Sequence, residues 1–206
     1  MFRRLAPLAV LLMMLSVPLQ AGPLEELERY FFSVNSLEGR FVQETRDEDG
    51  RVIERSEGTL ALERPNRFHW EYEQPFEQDL IADGERLWVY DRDLAQVSVR
   101  PLEEVLGSGP ALMLSGEFGA LEEQFRLSVE DGWILLEPRE TGWEVNAVRL
   151  KMADGLPHRV IVEDGLGQTN ELVLDDVRQN VGFDRDRFRF EPPEGVDVVG
   201  DTGGSW

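Results

Sequence analysis

Apolar residues recur along this chain at two different periods, and the change of period separates a helix from a long run of strands. Leu24, Leu27, Phe31 and Val34 are spaced by three and four, with Glu25 and Glu26 in the first turn. That spacing predicts one amphipathic helix over 23–36 with a single apolar stripe. From Glu38 the period is two. Gly39–Glu44 leads into Asp49-Gly50, a hairpin signal, and the alternating Thr59–Glu63 ends the next run. After the Pro65-Asn66 turn, Phe68, Trp70 and Tyr72 alternate with His69, Glu71 and Glu73. Three rings therefore share one strand face and three polar groups the other. Leu60 and Leu62 on the preceding strand join the ring face if the two strands are in register.

Asp83-Gly84 turns the chain between Gln78–Ala82 and Arg86–Tyr90, and Leu94–Arg100 reads as a further strand. The stretch 101–119 departs from this pattern: Pro101, Gly107, Gly109 and Pro110 surround the apolar cluster Ala111–Leu114. Short apolar pieces between such breakers predict helical segments laid across a sheet. Strands then resume at Phe125–Glu130, Trp133–Pro138, Glu144–Met152, His158–Asp164, Thr169–Val177 and Phe188–Phe190, with Asp-Gly turns at 131, 154 and 164. The Gly-rich tail from Asp197 is expected to fray. Short strands joined by tight turns predict an antiparallel meander. A single twisted sheet of ten or eleven strands curls. The expected architecture is mainly β with a few helices, an incomplete antiparallel barrel under a helical lid.

The N-terminus adds a processing step. Arg3 and Arg4 precede an apolar run from Leu5 to Leu15, then Pro18 and a small-residue site ending at Ala21. This order predicts a secretory signal over 1–21, leaving 22–206 as a single domain. The run is shorter than the ~20 residues of a membrane span, so no permanent membrane insertion is expected. The formal net charge is −20, and the signal holds two arginines and no acid, so the mature part carries −22. Such a chain is expected to avoid nucleic acid and anionic membrane surfaces. There is no cysteine, which removes disulfides, thiol catalysis, Cys-containing zinc sites and self-lipidation together.

No catalytic motif is apparent. His69 and His158 lack the clustered partners of a metal site, and both are expected at the surface or rim. Nucleophile elbow, dinucleotide fingerprint and P-loop are missing. Asp47-Glu48-Asp49-Gly50 lacks the remaining ligands of a calcium loop and reads as a solvated turn. The expectation is a protein without catalytic residues, metal or cofactor, built to hold an apolar ligand.

Several segments also carry a family resemblance. They are GRFVQ at 39–43, GTLALERPNRFHWEY at 58–72, Gln74-Pro75, DGERLWVYD at 83–91, PALML at 110–114 and FRFEPPEGVD at 188–197. In this order they resemble the LolA family, periplasmic carriers of outer-membrane lipoproteins. The resemblance implies an incomplete barrel closed by helices. It also implies a monomeric periplasmic carrier that takes lipoproteins from the inner-membrane Lol ABC transporter, shields their acyl chains and passes them to the receptor LolB. Arg64 matches the arginine that hydrogen-bonds to the lid and holds it shut. Phe68 matches a rim phenylalanine used in transfer, Trp70 and Tyr72 fall on cavity-facing positions, and Leu112 and Leu114 fall on the lid. With Leu60 and Leu62 these form the expected acyl cavity. Ala111 departs from the family pattern, where a larger apolar residue can occur, and the C-terminus is short. The alternative is a lipid- or lipoprotein-sensing regulatory module of the cell envelope.

Energetics agree with a carrier that relies on partners. At roughly 0.8 kcal/mol per methylene, a triacyl anchor of some 45 such groups holds to a bilayer by about 35 kcal/mol. Single-site affinities saturate near about 20 kcal/mol. Extraction must therefore be driven by an energy-using partner.

Overall fold

A computed structural model describes residues 21–102, 118–140, 145–184 and 186–200. Helix α1 (Pro23–Ser33) opens the fold. It is followed by β1 (Ser36–Arg46), β2 (Val52–Glu63), β3 (Arg67–Gln74), β4 (Gln78–Asp83), β5 (Arg86–Asp91) and β6 (Gln96–Pro101). Helix α2 (Phe118–Gln124) leads into β7 (Phe125–Glu130), β8 (Trp133–Pro138), β9 (Val145–Ala153), β10 (Leu156–Asp164) and β11 (Thr169–Gln179). β12 (Asp197–Gly200) ends the described chain. All twelve strands form one sheet in the order β12-β6-β5-β4-β3-β2-β1-β11-β10-β9-β8-β7, which does not close into a barrel. This is the incomplete barrel expected from the sequence. The expected signal peptide (its residues 1–20) and the expected lid, with Ala111, Leu112 and Leu114, lie outside the described residues. No described helix is long and apolar enough to cross a membrane.

Local chemistry explains the main elements. Pro23 starts α1, and the Glu25 carboxylate accepts from the Gly22 N–H, so the first turn is capped. Leu27, Tyr30, Phe31 and Val34 are buried, and the helix lies against β7–β10. The β7–β8 and β9–β10 hairpins turn on Asp131-Gly132 and Asp154-Gly155, with φ of 49° and 75°, and of 52° and 75°. Positive φ at both turn residues suits the right-handed twist of the flanking strands and favours Asp-Gly. In the β1–β2 turn the Asp47 carboxylate accepts the amides of Asp49 (3.0 Å) and Arg51 (2.8 Å). The acidic run Asp47–Asp49 thus serves the turn itself.

Two expectations fail at the C-terminus. Phe188 ends a turn and Arg189-Phe190 belong to no regular element, where a strand was expected. The segment is anchored through its rings: Phe190 packs on Trp88 and Tyr90 at 5.6 and 5.7 Å, and Phe188 packs on Phe183 at 5.2 Å. Pro192 and Pro193, with no N–H to give, prevent the segment from extending as a ladder. Asp197–Gly200, expected to fray, instead pairs parallel with the edge strand β6. The edge offers unpaired backbone groups, and Val196 and Val198 pack with Phe190 on Ile81, Trp88, Val97 and Val99. The last described segment is a strap across the outer face of β4–β6.

Candidate functional site

Alternation along each strand sends one set of side chains to the concave face under α1. From β2 and β3 these are Leu60, Leu62, Phe68, Trp70 and Tyr72, with register Leu60↔Trp70 and Leu62↔Phe68. They line a cavity of about 380 Å³, within the range of small-molecule sites. Tyr30 of α1, Leu80, Leu87, Val160, Val162, Leu172 and Leu174 complete its largely apolar wall, while Gln43, Tyr72 and Asn170 bring polar groups to it. Of the sequence-derived candidates, Leu60, Leu62, Phe68, Trp70 and Tyr72 stand together here. The cavity-facing residues of β10 and β11 were not singled out from the sequence, although the alternation of Val160 with Val162 and of Leu172 with Leu174 carried the signal.

Phe41 organises one side of the wall. Its ring lies 5.2 Å from Trp70 and 5.1 Å from Tyr72, the latter edge-on. Phe41 pairs across the sheet with Gly58. A Cβ at Gly58 would stand 1.9 Å from the Glu71 carbonyl oxygen and 3.1 Å from the Phe41 ring, so only glycine fits there. The Tyr72 hydroxyl donates to Gln43 Oε1 at 3.0 Å. Burial pushes the Tyr72 pKa up to about 12, the Gln43 bond opposing and Glu54 adding to the rise. The indole N–H of Trp70 is buried with no partner among the described residues.

Arg64 lies between β2 and β3 at the opposite end of the cavity from Gln43. Its backbone N–H donates to Asn35 O at 2.8 Å, and Nη1 donates to Val34 O at the end of α1. The guanidinium sits 4.7 Å above the Tyr30 ring and 5.0 Å from that of Phe31. Nε and Nη2 are buried without a hydrogen-bond partner among the described residues. Burial lowers the Arg64 pKa and raises that of Tyr30, each moderated by the other group. The described partner of Arg64 is thus the α1 terminus, and the expected lid contact falls outside the described residues.

The reading of His69 as a surface or rim histidine needs correction. Its side chain is only 13% exposed on the outer face, where Nε2 lies 2.8 Å from Asp79 Oδ1. Arg187 Nη1 donates to Nδ1 at 2.9 Å, which places the ring proton on Nε2. Arg92 Nε donates to Asp79 Oδ2 at 2.8 Å, and its other nitrogens reach Glu71 and Glu77 at 3.3 and 3.4 Å. His69, Glu71 and Asp79 offer ligand atoms within 4.8 Å of one another, a grouping with the spacing of a metal site. Here the Arg92 guanidinium bonds both carboxylates and supplies the positive charge. His158 is exposed, as expected, with Nδ1 3.1 Å from Leu174 O.

This network sets a pH dependence. Burial would raise the Asp79 pKa, but the bonds from His69 and Arg92 outweigh it and hold the carboxyl below its ordinary value. A depressed folded-state pKa contributes stability above the unfolded value that is lost as pH falls through the folded one. Thermal stability is therefore expected to drop below about pH 4. Asp79→Asn should cost about 2–3 kcal/mol at neutral pH and flatten that acid limb, which melting curves between pH 3 and 7 would check.

Comparison with known proteins places this geometry. The family described as outer membrane lipoprotein carrier protein LolA matches residues 32–191. The chain belongs to the LolA family. Two proteins named outer-membrane lipoprotein carrier protein are similar over most of their length. That of Halorhodospira halophila is 49% identical over 95% of both chains. That of Alkalilimnicola ehrlichii is 48% identical over 90% of this chain and 87% of the relative. A LolA-superfamily structure from Nitrosomonas europaea shares the fold at 15% identity and a TM-score of 0.50, over 82% of this chain and 96% of that one. Gly58 to Tyr72, the segment that builds one wall of the cavity and carries Arg64, lies within the matched region.

Proposed function

We propose that this LolA-family protein is a periplasmic carrier that holds the acyl chains of outer-membrane lipoproteins on the concave face of its sheet. In this reading it receives them from an inner-membrane Lol ABC transporter and yields them to a LolB receptor. The observation that carries the reading is the apolar cavity of about 380 Å³ under α1, walled by Leu60, Leu62, Phe68, Trp70 and Tyr72. An acyl chain gains roughly 0.8 kcal/mol per buried methylene in such a site. The open sheet suits the reading, because its walls can spread to admit branched lipid as a closed barrel cannot. The Trp70 N–H, without a partner among the described residues, is a donor available to an ester carbonyl of the cargo. Arg64 is the gate of this reading, since two of its buried donors have no partner among the described residues and can meet carbonyls of a covering segment. The LolA family is a non-enzymatic chaperone family, and the chemistry needed here is shape and burial.

The test is release of a lipoprotein from inner-membrane vesicles that contain the transporter. With ATP and this protein outside, lipoprotein should appear in solution bound to it, and none should appear when either is left out. Equal release without ATP, or release with no protein-bound lipoprotein, would refute the proposal.

A further inference from the structure

A second pocket of about 310 Å³ continues the concave face toward the end where the β1–β2, β3–β4 and β5–β6 turns lie. It shares Gln43 and Tyr72 with the apolar cavity, and Glu54, Ser56, Gln78 and Asp91 make up much of the rest of its wall. The concave side chains thus change along the strands. On β2 the series Leu62, Leu60, Gly58 gives way to Ser56 and Glu54, and on β4 Leu80 gives way to Gln78. The Tyr72–Gln43 hydrogen bond stands at the boundary. Ser56 is 5% exposed, and its hydroxyl makes a long 3.4 Å contact to Glu54.

The pocket is built of acceptors and neutral groups. No cation lines it. The arginines nearest in sequence are engaged elsewhere: Arg46 and Arg55 with Glu44, Arg51 with Asp49, and Arg92 with Asp79. A ligand spanning both cavities must therefore place acyl chains among the leucines and rings, and its polar head between the Glu54 and Asp91 carboxylates. Amide N–H and hydroxyl donors fit there. A phosphate brings like charge to these two carboxylates, and none of the described residues that line the pocket offers it a counter-charge.

Resting on the carrier reading above, we infer that this pocket seats the uncharged acylated-cysteine head and first peptide amides of the cargo, and rejects phospholipids bearing the same acyl chains. Specificity here comes from the repulsive element as much as from the attractive one. The apolar cavity cannot tell one palmitoyl chain from another, so the discrimination must be made at the head.

The probes are an uncharged triacylated cysteinyl dipeptide amide and phosphatidylglycerol, both with palmitoyl chains. They are offered together in mixed micelles of a neutral detergent, and protein-bound lipid is quantified by mass spectrometry after gel filtration. The wild-type protein should favour the lipopeptide. The Glu54→Gln/Asp91→Asn double variant should lower that preference roughly tenfold, mainly by taking up more phosphatidylglycerol. Glu54→Gln alone, at an exposed position, should lower it in the same direction should the double variant fail to fold. Glu122→Gln/Glu123→Gln on α2 changes net charge equally far from the pocket and should keep the wild-type preference. An unchanged ratio in the pocket variants, an equal loss in the α2 variant, or no preference in the wild type would overturn the inference. Uptake of neither lipid by the wild type would instead overturn the carrier reading on which it rests.

Discussion

Replacing Arg64 with leucine is expected to give a carrier that loads lipoprotein and does not release it. The guanidinium lies over Tyr30 and Phe31, bonds the Val34 carbonyl and keeps two buried donors without a partner among the described residues. Each charge-assisted bond contributes about 1.5–3 kcal/mol, so losing one or two shifts a closing equilibrium by about ten- to a hundredfold or more. Leucine keeps an apolar stem over the rim and leaves the aromatic floor covered. The open, loaded form should then persist because nothing favours closure over retained cargo. Arg64→Lys should be intermediate, since one ammonium does not reproduce the planar fork. A two-step assay, loading from inner-membrane vesicles followed by transfer to LolB-bearing membranes, separates the stages. Normal transfer, or failure at loading with a folded protein, would contradict the gate.

Filling the cavity should abolish carriage without unfolding the protein. Val162 lies on β10, lines the cavity and pairs with Asn170 and Val148. Val162→Trp would place an indole in empty space, so it should escape most of the 1–3 kcal/mol that overpacking costs in a filled core. The ring would displace several methylenes of cargo at roughly 0.8 kcal/mol each. Affinity for a fluorescent fatty-acyl probe should fall at least about a hundredfold, with the melting temperature nearly unchanged. Undiminished probe binding by a folded variant would show that acyl chains do not occupy this cavity.

What the sequence disclosed follows from how local each determinant is. The Phe68/Trp70/Tyr72 alternation sets the inward face of β3 by strand geometry alone, and the Asp-Gly pairs at 131 and 154 set two hairpins by backbone sterics. The open sheet followed from counting strands that no local feature closes. The C-terminal strap was misread because Phe188 and Phe190 alternate as in a strand, while their partners Phe183, Trp88 and Tyr90 are tertiary. β12 was missed because a Gly-rich tail gives no sign that an edge strand awaits a partner. His69 looked solitary for a related reason. Its bond to Arg187 spans 118 residues, and only the strap brings the two together. The polar pocket was equally hidden, since Glu54 and Ser56 look like ordinary strand residues until Gln78 and Asp91 face them.

The central claim is that recognition runs through acyl chains in the concave cavity. It is tested most directly by offering the purified protein one lipoprotein in its acylated form and in a form lacking acylation. Association is then measured by gel filtration in neutral detergent below its micelle concentration. The account predicts a stoichiometric complex with the acylated form, competed away by free triacyl lipopeptide, and none with the unacylated polypeptide. Equal binding of both forms would contradict it, because recognition would then lie in the folded cargo and not in its lipid.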